Sequence, residues 1–408
     1  METSTKTGFA YAEGGVTAPL GFLAAGVSAG IKKSGKRDVA LVVAEATCPS
    51  AAVYTLNTMA APPVRLTREH LASGVARAVV VNSGNANACT GPQGMVDARA
   101  MAEVTAEAIG CGVTEVAVAS TGVIGSPMPM DLVLAGIIEA ASVLDSTAGT
   151  DAAEAIMTTD TFLKEVAVTV DVDGLRYTVG GMTKGSGMIM PNMATMLAFV
   201  TTDAPLTSEA CDRALRSAVD GTFNRVTVDS DTSTNDTCLL MASGAAGGGP
   251  IEVSDDRFSV VSAAIHAVCG ELARMIVRDG EGATKFIEVT VRGAADDDDA
   301  REAAMSIANS PLFKTAIFGA DANWGRVAMA VGKSSATVDP DALEVVFAGI
   351  TTCENGTAVP FDEDAAATAL AASEIEVVVD LHIGEGTATV WTCDLSYEYV
   401  RINGEYRS

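Results

Sequence analysis

The segment KGSGMIMPNMATMLAF, residues 184–199, leads from a glycine-rich loop into the start of a buried strand. Pro191 and the glycines before it predict a rigid, sharply turned approach, because proline fixes φ and glycine accepts turn conformations. The run from Ala194 to Leu197 is typical of a strand that is just beginning. A threonine at such a position is ordinarily structural, since β-branched residues favour strands. The neighbours of Thr195 favour a second interpretation.

The peptide bond between Ala194 and Thr195 is chemically suited to self-cleavage. Ala194 leaves its carbonyl group sterically open, and the Thr195 hydroxyl can attack that carbonyl through a five-membered ring. Cleavage makes Thr195 a new N-terminus, and an α-amine has a reference pKa of about 7.7–8.0. This amine can act as the base for its own hydroxyl, so the site requires no histidine. The segment therefore predicts an N-terminal threonine nucleophile.

Composition limits the kinds of partner. The chain has 408 residues, with 26 Lys plus Arg against 52 Asp plus Glu, and its formal charge is −26. Such a field repels phosphate backbones and anionic membranes, so neither nucleic acid nor a membrane is predicted as a partner. No apolar run reaches the length of a membrane span, and the N-terminus does not resemble a signal peptide.

Cysteine and histidine usage indicates a cytoplasmic protein without a metal. The eight cysteines form no C-x-x-C pair, and scattered cysteines in a long chain fit a reducing compartment. His70, His266 and His382 lie far apart in the sequence. Their spacing supports neither a zinc site nor a Ser-His-Asp triad.

Short β-runs alternate with helical patterns along the chain. The order mixes hairpins with helices instead of repeating a βαβ unit, which favours a layered α+β fold over a doubly wound sheet. Residues 163–182 predict a hairpin that turns at Asp173-Gly174. The four-aspartate run at 296–299 fits either a solvated loop or a helix N-terminus. Other strands are predicted at 75–81, 115–120, 285–293, 343–349, 374–383 and 387–395, and helices at 131–144, 206–223 and 258–280.

Thr121 and Lys184 each have both a structural and a chemical interpretation, and Glu281 has a structural one. STGVIG, residues 120–125, follows a predicted strand. The Thr121 hydroxyl and nearby backbone N–H groups could form an oxyanion hole there, although a plain strand-to-helix turn is the simpler interpretation. A lone lysine such as Lys184 usually indicates a surface charge, but its position among glycines also favours binding to a carboxylate. Glu281, in RDGEGATK, reads as an exposed acid in a turn.

Polar stretches elsewhere leave similar alternatives open. The hydroxyls of MTTDTF, residues 157–162, either cap the preceding helix or face a site. TVDSDTSTNDT (227–237) and GADANWGR (319–326) are either active-site walls or structural loops, and the structural role is favoured. The aromatic residues of the C-terminal SYEYVRINGEYRS predict that the tail packs down, which would bring Asn403 and Ser408 to a pocket.

The ordered set of motifs resembles one family across essentially the whole chain. The motifs are GGVTAPLGF, NSGNANACTG, STGVIG, IMTTDT, KGSGMIMPNMATML, DTSTNDT, DGEGATK, NWGRVAM and YVRINGEYRS. They resemble the ornithine acetyltransferases, also called glutamate N-acetyltransferases, of arginine biosynthesis. The resemblance implies a four-layer α-β-β-α sandwich that is similar in layering to N-terminal-nucleophile hydrolases but differs in connectivity.

The resemblance also assigns roles to individual residues. It implies self-cleavage between Ala194 and Thr195 into an α-chain, residues 1–194, and a β-chain, residues 195–408, which together form one catalytic fold. Thr195 would be the nucleophile of both reactions, and Thr121 and Gly122 would form the oxyanion hole. The implied substrate contacts are Thr158, Lys184, Thr195, Glu281, Asn403 and Ser408.

The reaction implied by the resemblance is ping-pong transfer of an acetyl group from N-acetylornithine to glutamate. No cofactor is implied, although some family members also use acetyl-CoA, and an α2β2 assembly is typical. One alternative is an N-terminal-nucleophile amidase or aminopeptidase, in which water accepts the acyl group. Another is a catalytically silent, unprocessed binding protein for small molecules.

Overall fold

Two β-sheets and the helices packed on them make up the computed structural model, which describes residues 8–190 and 196–405. The strands are β1 Ala10–Ala12, β2 Phe22–Val27, β3 Val39–Tyr54, β4 Val75–Asn85, β5 Val116–Val123, β6 Lys164–Val172, β7 Leu175–Lys184, β8 Leu197–Thr202, β9 Thr237–Ala242, β10 Phe286–Ala294, β11 Glu344–Phe347, β12 Ile350–Glu354, β13 Thr357–Ala358, β14 Glu374–Asp380 and β15 Gly386–Cys393. The helices are α1 Pro62–His70, α2 Gly91–Ile109, α3 Met130–Ser142, α4 Gly149–Ile156, α5 Ser208–Gly221, α6 Asp256–Arg278, α7 Asp297–Ala308, α8 Pro311–Phe318, α9 Trp324–Gly332, α10 Glu363–Leu370 and α11 Tyr397–Glu405.

The first sheet is divided into two halves by the 16-residue strand β3. Its N-terminal part pairs with β2 and β4, while residues Ser50 to Tyr54 pair with β9. The strand order is β1-β6-β7-β8-β9-β3-β4-β5, with β2 also paired to β3. One long strand therefore joins two sheet halves that can face each other.

Apolar side chains on alternating positions build the layers. In β8, Leu197 and Phe199 join the core between the two sheet halves, whereas Ala198 and Val200 face the core under α5 and α6. This is the period of two expected for a strand that is buried on both faces. On the far side, α1, α2 and α3 pack against the half formed by β2 to β5. The layers confirm the prediction of a layered, mixed α/β fold.

A second, six-stranded sheet has a core of its own. Its order is β13-β12-β11-β14-β10-β15, and α7, α8, α9 and α10 contribute apolar side chains to its core. A parallel β-bridge between Val226 and Trp391 connects β15 to the segment after α5, a helix that packs on the first sheet. Most of these strands were predicted from the sequence, but their separation into a second sheet was not.

Local signals placed several elements correctly. The hairpin β6–β7 turns at Asp173 and Gly174, both with positive φ, as the Asp-Gly pair predicts. The four-aspartate run begins α7, whose N-cap is Asp296. The C-terminal tail forms α11, but Tyr397 and Val400 are 83% and 70% exposed. The expectation that these two apolar residues pack down is therefore wrong.

Helix α6 is long and apolar enough to cross a membrane, judged by length and composition alone. Its buried residues include Val261, Ile265, Val268 and Leu272, and this spacing of three and four residues marks one helix face. That face packs into the core shared with α5 and with strands β6 to β9. In this fold α6 is a core helix.

Candidate active site

The ends of three neighbouring strands define the centre of the site. Lys184, the last residue of β7, pairs with Leu197, the first residue of β8. On the other side of β8, Leu197 pairs in parallel with Thr237, the first residue of β9. The start of β8 thus lies between Lys184 and Asp236, the residue before β9. Ala194 and Thr195, the predicted cleavage pair, lie outside the described residues.

Thr121 and Gly122 lie within strand β5, not in a turn after it. β5 runs parallel to β4, and Gly122 sits beside Gly84. Gly122 has a φ of +130°, and a Cβ placed on it would lie 2.4 Å from the Gly84 carbonyl carbon. Only glycine fits this close approach between two backbones. The prediction of a strand-to-helix turn at residues 120–125 is therefore wrong for this pair.

An asparagine next to Asp236 fixes the end of β5. The Asn235 side-chain amide donates hydrogen bonds to Ser120 O at 2.8 Å and to Ala86 O at 2.6 Å. Asn235 is buried, so these bonds are made in a medium that strengthens them. They hold Thr121, one residue further on, beside the start of β9.

The predicted residues converge on one cavity of about 210 Å³. Six of them line it, namely Thr121, Gly122, Thr158, Lys184, Glu281 and Asn403. Ser408 lies outside the described residues. Larger cavities of about 380 and 500 Å³ occur elsewhere and contain none of these six residues. We assign the site by this convergence and not by cavity size.

Lys184 is a buried lysine and not the surface charge that its sequence context alone suggested. Burial lowers its pKa, while the carboxylates of Asp160, Asp236 and Glu281 act in the opposite direction. The net result is a pKa below the ordinary lysine value. A buried cation surrounded by carboxylates can bind an anionic substrate group that enters the cavity.

A buried acidic network that the sequence analysis missed supports these residues. Asp160 accepts the backbone N–H of Thr158 at 2.8 Å and that of Gly185 at 2.7 Å. Its Oδ1 also lies 2.6 Å from Lys164 Nζ. Burial alone would raise the pKa of Asp160, but the charges of Lys184 and Lys164 bring it down to about 2. Asp160 therefore holds the Thr158 loop against the end of β7.

The network continues to the end of α6. Lys164 Nζ also pairs with Asp279, which accepts hydrogen bonds from the backbone N–H and the hydroxyl of Thr161. The Thr159 hydroxyl lies 2.6 Å from the Ser186 hydroxyl. These hydroxyls of the MTTDTF stretch connect loops around the site, and neither of them caps α4.

Glu281 faces the cavity from the turn that follows α6. Its backbone N–H donates to Ser186 O at 2.8 Å, and its Oε2 accepts from Asn403 Nδ2 at 2.8 Å. A Cβ placed on Gly187 would lie 2.4 Å from the Glu281 carboxyl carbon. Gly187 therefore leaves the space that this carboxylate occupies, and α11 reaches the site through Asn403.

Residues 227–237 form both a wall and a support. Asp229 lines the cavity and accepts the backbone N–H groups of Met188 and Ile189 at 2.6 and 2.9 Å. Tyr399 donates its hydroxyl to Asp229 Oδ2 at 3.2 Å. Burial raises the pKa of Asp229. Asp231 lines the same cavity. By contrast, Trp324 of GADANWGR packs against the core of the second sheet.

One group of possible metal ligands occurs among the described residues, away from this cavity. Glu344, Asp380 and His382 bring one ligand atom each within 4.8 Å of one another. Arg292 Nε lies 2.7 Å from Asp380 Oδ2, so a cation already pairs with this group. Its position on the second sheet separates it from Lys184 and Thr121.

These features define a class of protein, namely a layered α/β enzyme with a charged pocket where strands of two sheet halves end. The ArgJ family model matches residues 23–408. The chain therefore belongs to the ArgJ family, which confirms the family predicted from the ordered motifs.

Curated relatives cover the chain almost completely. The arginine biosynthesis bifunctional protein ArgJ of Symbiobacterium thermophilum is 53% identical, over 97% of this chain and 99% of the relative. The protein of the same name from Geobacter sulfurreducens is 51% identical, over 95% and 99%. A crystal structure of arginine biosynthesis bifunctional protein ArgJ from Bacillus halodurans is 44% identical, with a TM-score of 0.50, and the match covers 51% of this chain and 98% of that chain.

Proposed function

We propose that the chain is an acyltransferase of arginine biosynthesis that moves an acetyl group from N-acetylornithine to glutamate. The observation that carries this proposal is the convergence of six family positions on one cavity beside the start of β8. Both substrates are small amino acids, and donor and acceptor share the same α-carbon frame. One pocket of this size therefore suits both of them in turn.

Self-cleavage between Ala194 and Thr195 prepares the nucleophile. The products are an α-chain of residues 1–194 and a β-chain of residues 195–408, and both contribute to the cavity. Supporting this, the solved chain of the Bacillus halodurans relative matches about half of this chain while being almost completely covered itself. Thr195 then begins a chain, and its α-amine serves as the base for its hydroxyl.

The acetyl transfer proceeds in two half-reactions. Lys184 binds the α-carboxylate of N-acetylornithine, and the Thr158 loop closes the same end of the pocket. The Thr195 hydroxyl attacks the acetyl carbonyl, its proton passes to the α-amine, and the oxyanion is held by Thr121 and Gly122. The α-amine then gives the proton to the leaving nitrogen of ornithine. Glutamate enters, and its amine takes the acetyl group from the Thr195 ester.

Glu281 positions the cationic part of the substrate. Its carboxylate lines the cavity, is held by Asn403, and is available to the amine or δ-ammonium group. Ser408 is a further proposed contact. The reaction needs no cofactor, and acetyl-CoA is a second candidate acetyl donor. We further propose a cytoplasmic α2β2 assembly.

The test combines intact mass with an acetyl-transfer assay. Freshly purified wild-type protein should give two fragments that meet at Ala194/Thr195, and the Thr195→Ala variant should stay uncut and inactive. Acetylornithine given with glutamate should yield N-acetylglutamate. Fast acetate release without glutamate would instead indicate the amidase. An uncut wild-type chain that transfers acetyl groups would refute the N-terminal-amine mechanism, and an uncut, inactive but folded chain would indicate a binding protein.

A further inference from the structure

Asp236 is a buried carboxyl group to which the transfer mechanism gives no role. It lies directly before β9, and its Oδ1 accepts the backbone N–H of Met196 at 3.1 Å. The Thr237 N–H donates back to Met196 O at 3.3 Å. The parallel pairing of β8 and β9 produces this contact, because it sets Leu197 beside Thr237 and hence Met196 beside Asp236.

The second oxygen of this carboxyl group has no hydrogen-bond partner among the described residues. Asp236 is fully buried, and its Oδ2 is one of the few buried side-chain atoms in the described part of the chain without such a bond. Ser233 and Thr55 lie close enough to favour the ionised form, but neither bonds to Oδ2 with hydrogen-bond geometry. A buried carboxyl oxygen without a hydrogen bond raises the free energy of the folded protein, so its presence requires an explanation.

The protonation state of Asp236 is also unusual. Burial raises its pKa well above the ordinary aspartate value, although the nearby charge of Lys184 acts in the opposite direction. A protonated carboxyl group has one oxygen that accepts and one that donates. Oδ1 accepts from Met196, so the proton belongs on Oδ2, which makes no hydrogen bond among the described residues.

Covalent geometry limits how far Asp236 can lie from the proposed cleavage site. Met196 is bonded to Thr195, and the nitrogens of consecutive residues are at most about 3.7 Å apart, given standard bond lengths. The nitrogen of the Ala194–Thr195 bond therefore lies within about 7 Å of Asp236 Oδ1 in any backbone conformation. Asp236 is therefore a buried carboxyl group that contacts the residue directly after the proposed cleavage site.

We propose that Asp236 is the proton donor of the self-cleavage reaction. The Thr195 Oγ attacks the Ala194 carbonyl carbon, and the C–N bond to Thr195 breaks. The departing nitrogen takes the proton from Asp236 Oδ2, and the proton released by the Thr195 hydroxyl returns to Asp236. Water then hydrolyses the ester, which leaves a carboxylate on Ala194 and a free hydroxyl on Thr195. This inference rests on the self-cleavage in the proposed function.

The decisive variant is Asp236→Asn, followed by intact mass against time after rapid expression. The amide keeps the oxygen that accepts from Met196 but cannot transfer a proton. We expect cleavage to slow by at least about 100-fold, the usual contribution of a general acid. The matched control is Asp203→Asn. Asp203 is a buried carboxyl in the same sheet unit, also with a raised pKa, that accepts backbone N–H groups of Thr178 and Leu20. This control should be cut at the wild-type rate.

A second pair keeps the test decisive if Asp236→Asn does not fold. Asp236→Glu and Asp236→Gln have nearly the same size, so both strain the site alike, and only the glutamate carries a transferable proton. We expect cleavage of the glutamate variant and none of the glutamine variant. Equal behaviour of this pair, or wild-type cleavage of a folded Asp236→Asn, overturns the proton-donor role. An uncut wild-type chain would instead overturn the proposed self-cleavage itself.

Discussion

Lys164 and Asp160 form an ion pair from which solvent is excluded, with Lys164 Nζ 2.6 Å from Asp160 Oδ1 and neither side chain exposed. The same carboxylate accepts backbone N–H groups from two separate segments, at Thr158 and at Gly185. A carboxylate with this many partners has little freedom to move. The Thr158 loop and the end of β7 are thus fixed by one buried charge that does not itself line the cavity.

Replacing that carboxylate should damage both stability and substrate binding. In Asp160→Asn the charges of Lys164 and Lys184 lose a partner, and the loss of one member of a buried ion pair costs about 3–5 kcal/mol. Urea unfolding measures this loss, and a raised KM for acetylornithine reports the displaced Thr158 loop. The control is Asp171→Asn, whose exposed carboxylate pairs with Arg176 at the surface and should leave both quantities unchanged. Wild-type stability and KM in Asp160→Asn would contradict the supporting role.

The same pair predicts an acid-dependent stability. The folded-state pKa of Asp160 is about 2, below the ordinary value of 3.8. The folded protein therefore binds this proton less readily than the unfolded chain. The stabilisation is complete above about pH 5 and is lost as the pH falls toward 2, and it amounts to about 2 kcal/mol. The difference in unfolding free energy between wild type and Asp160→Asn should shrink between pH 5 and pH 3. A constant difference would show that Asp160 is not held ionised by its lysines.

Several turns and helix ends of the fold could be predicted from short-range sequence signals. The Asp173-Gly174 turn was predicted from a short-range signal and occurs. The four-aspartate run, for which a helix N-terminus was one of two predicted alternatives, begins α7. Such features depend on residues within a few positions of one another. The family was equally readable, because its motifs are long and occur in order.

The features that could not be predicted from the sequence depend on the pairing of strands that are far apart in the chain. The register of β7, β8 and β9 brings Lys184 and Asp236 to opposite sides of the same strand start, although they are far apart in the chain. The burial of Lys184 follows from that register and not from its glycine-rich neighbours. Asp160 had only a weak signal, since an acid among threonines after a helix is common in loops.

Gly122 should tolerate no side chain. In Gly122→Ala the new Cβ meets the Gly84 carbonyl carbon at 2.4 Å, and the positive φ disfavours any L side chain. The ends of β4 and β5 must separate, so a proposed oxyanion donor is displaced and acetyl transfer should fall by roughly 10²–10³. Initial rates with saturating acetylornithine measure the effect. Gly332→Ala, at the end of α9 with open space around it, is the control and should keep full activity. Comparable rates in the two variants would argue against a backbone contact at Gly122 that shapes the site.

Asn403 should act on substrate binding through Glu281. Its side-chain amide donates to Glu281 Oε2 at 2.8 Å from α11, so Asn403→Ala leaves the carboxylate free to turn away from the cavity. A hydrogen bond of about 0.5–1.5 kcal/mol corresponds to a KM for acetylornithine raised by about 2- to 12-fold. Because this bond positions Glu281 in the ground state as well as during reaction, kcat should change less than KM.

The control for Asn403→Ala lies on the same helix. Arg401→Ala removes a guanidinium group that pairs with Glu398 and Glu405 on the exposed side of α11, so it tests whether the helix as a whole is disturbed. It should leave both KM and kcat at wild-type values. Equal increases of KM in the two variants would show that α11 acts by covering the cavity. A rise confined to Asn403→Ala would show that a single amide holds Glu281 for the substrate's cationic group.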